Sequence, residues 1–317
     1  FNTPGANANA VKEVVIALMV IANRNLIEAA NWSAQNVGED ISLRTEREKS
    51  RFNGRELFGK RLAVIGMGHV GSLVANAAID LGMDVIGYDP YLSVDTAWNL
   101  TARVQRAATL ADAVKGADFI TVHVPKNEET TGMINQELLA QVKPGAILFN
   151  YSRLGIVDNQ AAVAALANGQ LGQYVTDFGE DCLQNNPKVT ITPHLGGSTK
   201  EAEINCAKMA VDELTQYLET GNTTNAVNLP DVVAPFTSQH RFTIIHRNIP
   251  NMLGQISTAI AKAEVNIDNL VNRAKGEYAY TMVDVGELTA EQTEILTTTL
   301  NQIDAVSRVR LLDRPLP

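Results

Sequence analysis

Between Gly59 and Pro193 short apolar runs alternate with longer amphipathic stretches, the runs falling at 61–65, 84–88, 118–124, 146–150, 173–178 and 189–192. Runs this short and this apolar read as strands buried on both faces, with helices between them covering those faces, which predicts an α/β unit built on a parallel sheet. Ahead of them Val11, Val14, Val15, Leu18, Ile21, Ala22, Leu26 and Ala29 recur at helical spacing, so residues 8–31 predict one long, largely buried helix. Ser198-Thr199-Lys200-Glu201 has the spacing of a capping box and predicts a second long helix, capped by the Ser198 side chain and ending near Gly221. Gly221, Asn222, Thr223, Thr224, Pro230 and Pro235 give the following stretch the composition of a linker. Beyond it the pattern predicts a strand at 241–246, a helix at 250–263, strands at 267–272 and 278–285, a helix capped by Thr289-Ala290-Glu291-Gln292, and a strand at 306–312. That β-α-β-β-α-β order is ferredoxin-like, a topology that specifies no function by itself.

The first strand carries the most specific chemistry. Leu62-Ala63-Val64-Ile65 runs directly into Gly66-Met67-Gly68-His69-Val70-Gly71, a helix-length stretch follows, and the next strand ends on Asp89. In a dinucleotide-binding unit Gly66 permits the tight turn, Gly68 lets the backbone approach a pyrophosphate, and Gly71 lets the helix pack closely, so that the amides around His69 and Val70 face the anion. Asp89 is then placed to accept from the adenosine ribose hydroxyls, and its charge disfavours a 2′-phosphate. NAD is the expected cofactor.

Composition narrows the classes. The formal net charge of -9, with scattered Lys and Arg, offers no stripe for a nucleic-acid backbone. The longest apolar run, 14–22, is too short to span a bilayer. Two cysteines, Cys182 and Cys206, make neither a disulfide framework nor a metal-ligand cluster, which suits a reducing, cytoplasmic setting, and no metal is expected. Phe1 is not an initiator and no signal peptide is visible, so the chain reads as truncated.

Four further clusters fall at expected strand ends, where ligands bind in such folds. Thr121-Val122-His123-Val124-Pro125, followed by Thr130, could line the adenosine side of a cleft or simply end a strand. Asn150-Tyr151-Ser152-Arg153 offers a guanidinium fork for a carboxylate, although a lone arginine is commonly a surface ion-pair partner. Thr176-Asp177-Phe178-Gly179-Glu180-Asp181 gathers acids that could equally form a solvated turn. Pro193-His194-Leu195-Gly196-Gly197-Ser198 places a histidine after a strand beside glycines that allow close approach. Each has a structural reading; their convergence favours a functional one.

In order and spacing these clusters, together with Asn2-Thr3-Pro4-Gly5-Ala6-Asn7, resemble the D-isomer-specific 2-hydroxyacid dehydrogenases. The C-terminal unit resembles an ACT domain, which makes the chain most similar to members that oxidise 3-phosphoglycerate to 3-phosphohydroxypyruvate at the entry to L-serine biosynthesis. The resemblance implies a Rossmann-type NAD domain at 59–198, an interdomain helix and remnant of the substrate-binding domain at 1–58, a returning helix at 199–222, a linker at 223–236 and an ACT regulatory domain at 237–317. It implies that Arg153 binds the substrate carboxylate, His194 moves the hydroxyl proton, Asp177 holds the nicotinamide carboxamide, and His123, Val124, Pro125, Thr130, Tyr151, Ser152, Arg153, His194, Gly196 and Gly197 line the cofactor. The acid that holds the histidine in the family falls here on Cys182, leaving Glu180, preferred for its reach, or Asp181. Arg153-Leu154-Gly155 replaces the usual Arg-Gly pair, and the family's N-terminal segment is expected to be missing. His246, Asn248 and Asn266 match the pattern that binds L-serine, with Asn251 replacing a glycine, and such sites imply a homo-tetramer or homo-dimer. Another D-2-hydroxyacid dehydrogenase, of the lactate, glycerate or 2-hydroxyglutarate type, or a non-catalytic NAD-sensing protein are the alternatives.

Overall fold

All six apolar runs of residues 59–193 enter one parallel sheet in the computed structural model, which describes residues 1–315. In chain order the elements are α1 (Ala8–Asn23), α2 (Leu26–Gln35), α3 (Ile41–Glu48), β1 (Arg61–Ile65), α4 (His69–Asp80), β2 (Asp84–Tyr88), α5 (Val94–Trp98), β3 (Gln105–Arg106), α6 (Leu110–Val114), β4 (Phe119–Val122), α7 (Gln136–Leu139), β5 (Ala146–Asn150), α8 (Asn159–Ala167), β6 (Leu171–Thr176), β7 (Val189–Ile191), α9 (Lys200–Thr220), β8 (His240–Arg247), α10 (Met252–Lys262), β9 (Ile267–Lys275), β10 (Tyr278–Val285), α11 (Ala290–Asn301) and β11 (Val306–Asp313). They divide into two compact units, residues 5–203 and residues 1–4 with the described residues from 204 onward. Among the described residues no helix is long and apolar enough to cross a membrane.

In the first unit the sheet order is β3-β2-β1-β4-β5-β6-β7, so the chain reverses direction of travel between β1 and β4. The crevice at that reversal is where doubly wound folds bind ligands. Leu62, Val64, Phe119, Phe149 and Val175 face α1 and α4, while Ala63, Ile65, Ile120, Leu148 and Tyr174 face the opposite helical layer. Both faces are buried, which is why the strands read as unbroken apolar runs. The exception is β3, too short and polar for the pattern to reveal.

Two expectations about helices need correction. Residues 8–31 form two helices, not one: Asn25 adopts a left-handed conformation (φ 52°) between α1 and α2, and α2 contains no buried residue. The polar run Asn23-Arg24-Asn25 interrupts the apolar stripe, and asparagine tolerates the left-handed region that most residues avoid. The cap of α9 also sits one residue late. Thr199 Oγ1 accepts from the Ala202 amide at 3.1 Å, whereas the Ser198 amide turns back to the Leu195 carbonyl. With Thr199 as the cap, the position that would close the box is Ala202, which has no acceptor to offer. The Thr289 to Gln292 box ahead of α11 is fully formed.

The second unit has an antiparallel sheet ordered β11-β8-β10-β9, the ferredoxin-like arrangement expected from its element order. Phe242, Ile244 and Val283 pack against Ile256, Ile260, Leu296 and Leu300 of α10 and α11. On the other face Tyr280 and Met282 are covered by Ala226, Leu229, Val232 and Ala234. The stretch 223–236 is therefore no open tether: Thr223 and Val232 bridge as a strand pair, and its apolar side chains complete a core that composition alone concealed. Arg241 locks this packing. Fully buried, it forks onto Asp284 (Nε to Oδ1 2.5 Å, Nη2 to Oδ2 2.9 Å), donates to the Thr220 and Pro235 carbonyls at 2.8 Å each, and stacks 4.4 Å from the Phe236 ring centroid.

Candidate active site

At the end of β1 the glycines divide their labour. Gly66 adopts φ +89°, and a Cβ there would meet the His123 carbonyl carbon at 2.8 Å. A Cβ on Gly71 would overlap the Gly66 carbonyl oxygen, so the close contact between helix and turn depends on its absence. Gly68 is different: a Cβ would meet nothing within 4 Å, and no side chain caps α4, which begins at the next residue. Open space above an uncapped helix N-terminus fits the pyrophosphate of a dinucleotide. Gly68→Val is therefore expected to weaken NADH binding by roughly tenfold or more while leaving the melting temperature nearly unchanged, to be read by fluorescence titration and calorimetry side by side.

Asp89 stands over the same turn. Its Oδ2 accepts from the Met67 amide and its Oδ1 from the Tyr91 amide, both at 2.8 Å, and each oxygen keeps a lone pair for a ribose hydroxyl. On the neighbouring strand end, His123 Nε2 lies 2.9 Å from the Thr121 hydroxyl, and Nδ1 is sealed from solvent with no partner. Burial pushes the His123 pKa down from 6.5 to about 3, so the ring is neutral at pH 7. Between those two values the unfolded chain holds the extra proton, so stability is fully present above the unfolded value and is lost as pH falls, by up to about 1.4 kcal/mol per pH unit. His123→Gln is expected to reduce this acid sensitivity, visible as a smaller shift of the urea midpoint between neutral and mildly acidic buffer. Val124 is half-buried and Pro125 exposed; the Thr130 hydroxyl donates to the Pro125 carbonyl at 2.6 Å and accepts from the Asn127 amide at 2.9 Å, closing this loop on itself.

The arginine turn is stapled from within. Asn150 accepts from the Ser152 amide at 3.2 Å and donates to the Arg153 carbonyl at 3.1 Å, while the Ser152 hydroxyl donates to the Val124 carbonyl at the end of β4. Arg153 itself is exposed; among the described residues its guanidinium hydrogen-bonds the Ser152 carbonyl at 2.7 Å and makes no ion pair. A guanidinium without a protein carboxylate is available to a ligand's.

His194 is exposed after β7 at φ 52°, with its ring 5.0 Å from that of Phe178 in an edge arrangement. The acid expected beside it is not there. Glu180 accepts from Asn159 Nδ2 at 2.8 Å, Asp181 opens a single 3-10 turn, and among the described residues no carboxylate bonds the His194 ring. Asn159 in turn accepts from the buried Tyr174 hydroxyl at 3.1 Å, so the exposed Glu180 carboxylate is engaged by Asn159 rather than by the histidine. Asp177, expected to hold a carboxamide, is 4% exposed and already accepts from the Thr192 hydroxyl (2.6 Å), the Leu195 amide (3.0 Å) and the Gly196 amide (2.7 Å). One acceptor position on Oδ2 remains. Thr192 carried no signal in the sequence beyond its place before Pro193-His194, and its partners lie 15 and 41 residues away.

The family model for the D-isomer specific 2-hydroxyacid dehydrogenase NAD binding domain matches residues 16–196. The chain belongs to this family. It is 32% identical over 302 residues to a D-3-phosphoglycerate dehydrogenase of Methanocaldococcus jannaschii, covering 93% of this chain and 52% of that protein. It is 31% identical to a D-3-phosphoglycerate dehydrogenase of Haemophilus influenzae, covering 98% of this chain and 75% of that protein. The chain thus spans about half the length of the Methanocaldococcus jannaschii relative. Among solved structures, apo D-mandelate dehydrogenase of Rhodotorula graminis shares the fold at a TM-score of 0.62 and 22% identity, covering 74% of this chain and 68% of that one. As a 2-hydroxyacid dehydrogenase family member the chain carries an NAD-binding domain, and the open cradle at Gly68 and the pinned Asp89 fit that cofactor.

In the second unit the residues expected to bind an effector stand in different surroundings. His246 is 2% exposed on the helix-covered face, its Nδ1 2.8 Å from the Arg247 carbonyl and its Nε2 2.9 Å from the Thr281 hydroxyl. Both ring nitrogens are spent inside the unit, which corrects the expectation that His246 reaches a ligand. Asn248 is exposed and donates to the Gly276 carbonyl at 3.3 Å; Asn266 is exposed. Asn251 takes φ 66° ahead of α10, the conformation a glycine would supply.

Proposed function

We propose that this chain catalyses the NAD-dependent oxidation of 3-phospho-D-glycerate to 3-phosphohydroxypyruvate, the first step of L-serine formation. The observation that carries the reading is an arginine free of protein carboxylates and an exposed histidine, each at the C-terminal end of a strand in an NAD-binding sheet. The names of the relatives supply the substrate. Arg153 would grip the substrate carboxylate and draw electron density from the adjoining carbon, and the His194 ring would take the hydroxyl proton in oxidation and return it in reduction. When bound, NAD would supply the two-electron acceptor for the C2 hydrogen of the substrate. Asp89 would select NAD over NADP by repelling a 2′-phosphate. Cys182, partly buried against the core, takes the place of the family's acid, so the orientation of His194 rests on its loop.

We further propose that the C-terminal unit is an ACT-type module responsive to L-serine, with Asn248 and Asn266 as its accessible polar groups and His246 as an internal support, in a homo-dimer or homo-tetramer. The test is NADH oxidation with 3-phosphohydroxypyruvate, with and without L-serine, beside a panel of other 2-oxo acids. Turnover suppressed by serine is expected. Turnover only with another 2-oxo acid would transfer the chain to a different branch of the family. NADH binding with no turnover on any of them would favour an NAD-sensing role.

A further inference from the structure

His194 occupies a backbone conformation that non-glycine residues avoid, and such strain persists only where the surroundings over-determine it. Here the determinants can be named. Thr192 is held to the end of β6 by its amide bond to the Thr176 carbonyl at 3.0 Å, and the His194 amide turns back to the Thr192 carbonyl at 3.0 Å. The two residues after the histidine give their amides to Asp177. The Thr192 hydroxyl donates to Asp177 Oδ1 at 2.6 Å, a carboxylate that can only accept, so the 2.6 Å contact between Tyr151 Oη and Thr192 Oγ1 must be donated by tyrosine. Burial pushes the Tyr151 phenol up to about 12, which keeps that proton in place. The Tyr151 ring also backs the loop directly: a Cβ on Gly196 would lie 3.4 Å from Tyr151 Cδ1 and 3.1 Å from Asp177 Oδ2.

We infer that Tyr151, Thr192 and Asp177 form a directed hydrogen-bond relay that positions His194, making Tyr151 and Thr192 positioning residues for proton transfer. This rests on the reading of His194 as the acid-base group. With no carboxylate on its ring among the described residues and only an edge contact to Phe178, His194 depends on its loop for aim. Thr192 is the junction: it accepts from Tyr151, donates to Asp177, and passes the order of the β5 end to the β7 end.

The variants are Tyr151→Phe, Thr192→Val and Thr192→Ser in the full chain, none of which changes shape appreciably. Amide hydrogen exchange at Leu195 and Gly196 reads the loop independently of turnover. Loss of one net hydrogen bond should speed exchange there by about fivefold in Tyr151→Phe, and more in Thr192→Val, with Thr192→Ser restoring protection and β1 and β4 unaffected. In steady-state assays kcat should fall in the same order, with Thr192→Ser recovering turnover alongside protection. Unchanged exchange at Leu195 and Gly196 in Thr192→Val would overturn the relay, as would a loosened loop with unchanged kcat. Should the parent chain turn over no 2-oxo acid, the dehydrogenase reading fails by itself, and exchange alone decides whether the relay holds the loop.

Discussion

Arg241→Met is expected to lower the stability of the C-terminal unit by about 3–5 kcal/mol, the usual cost of removing one partner of a buried ion pair. The Asp284 carboxylate would remain buried without its countercharge, keeping only a 3.5 Å contact from Asn269. The Thr220 and Pro235 carbonyls would lose their donor, and Phe236 its stacked cation. Methionine fills much of the volume, so the loss reports the polar network rather than a cavity. Combining it with Asp284→Leu should recover part of the deficit, because removing both charges removes the desolvation cost as well. Chemical denaturation of the two variants and the parent provides the comparison. A loss below about 1 kcal/mol in Arg241→Met would show that water reaches Asp284 in the folded unit.

His194→Asn is expected to reduce kcat by about 10²–10⁴-fold, the range general acid-base groups contribute, while NADH binding is retained through the Gly68 cradle and Asp89. Asparagine accepts the left-handed backbone at this position more readily than most residues, so the loop should keep its shape while losing the titratable ring. Steady-state kinetics with a direct NADH titration separates the two effects. If turnover stayed within a few-fold of the parent, the proton would have to move through another group.

How far these features could be read from the chain depended on how local they are. The boundaries of β1, β2, β5 and β10 follow directly from their apolar runs. The glycine turn was legible for the same reason: spacing within one strand-turn-helix segment determines where each missing Cβ matters. The break at Asn25 was present in the sequence as a polar tripeptide and was outweighed by the apolar positions on either side. The cap of α9 slipped by one residue because Ser198 and Thr199 are chemically alike, and only the path of the loop chooses between them.

Partner choice between distant segments was not legible. Glu180 and Asp181 are near His194 in the chain, yet the route from β6 to β7 turns Glu180 onto Asn159. His246 looked like an exposed ligand in a polar turn, but strand alternation places it on the helix-covered face with Thr281. Composition called 223–236 a linker because it is rich in turn residues, while its few apolar side chains were enough to cover one face of a sheet.

By itself, then, the sequence determined the two kinds of sheet, the dinucleotide turn and the residue types available for chemistry, since periodicity and glycine spacing act over a few residues. Only the tertiary structure decided what Asp177, Thr192, Tyr151 and Arg241 bond to. Those bonds join residues brought together by sheet order, and a carboxylate or hydroxyl removed from water takes whichever donor or acceptor the fold delivers to it.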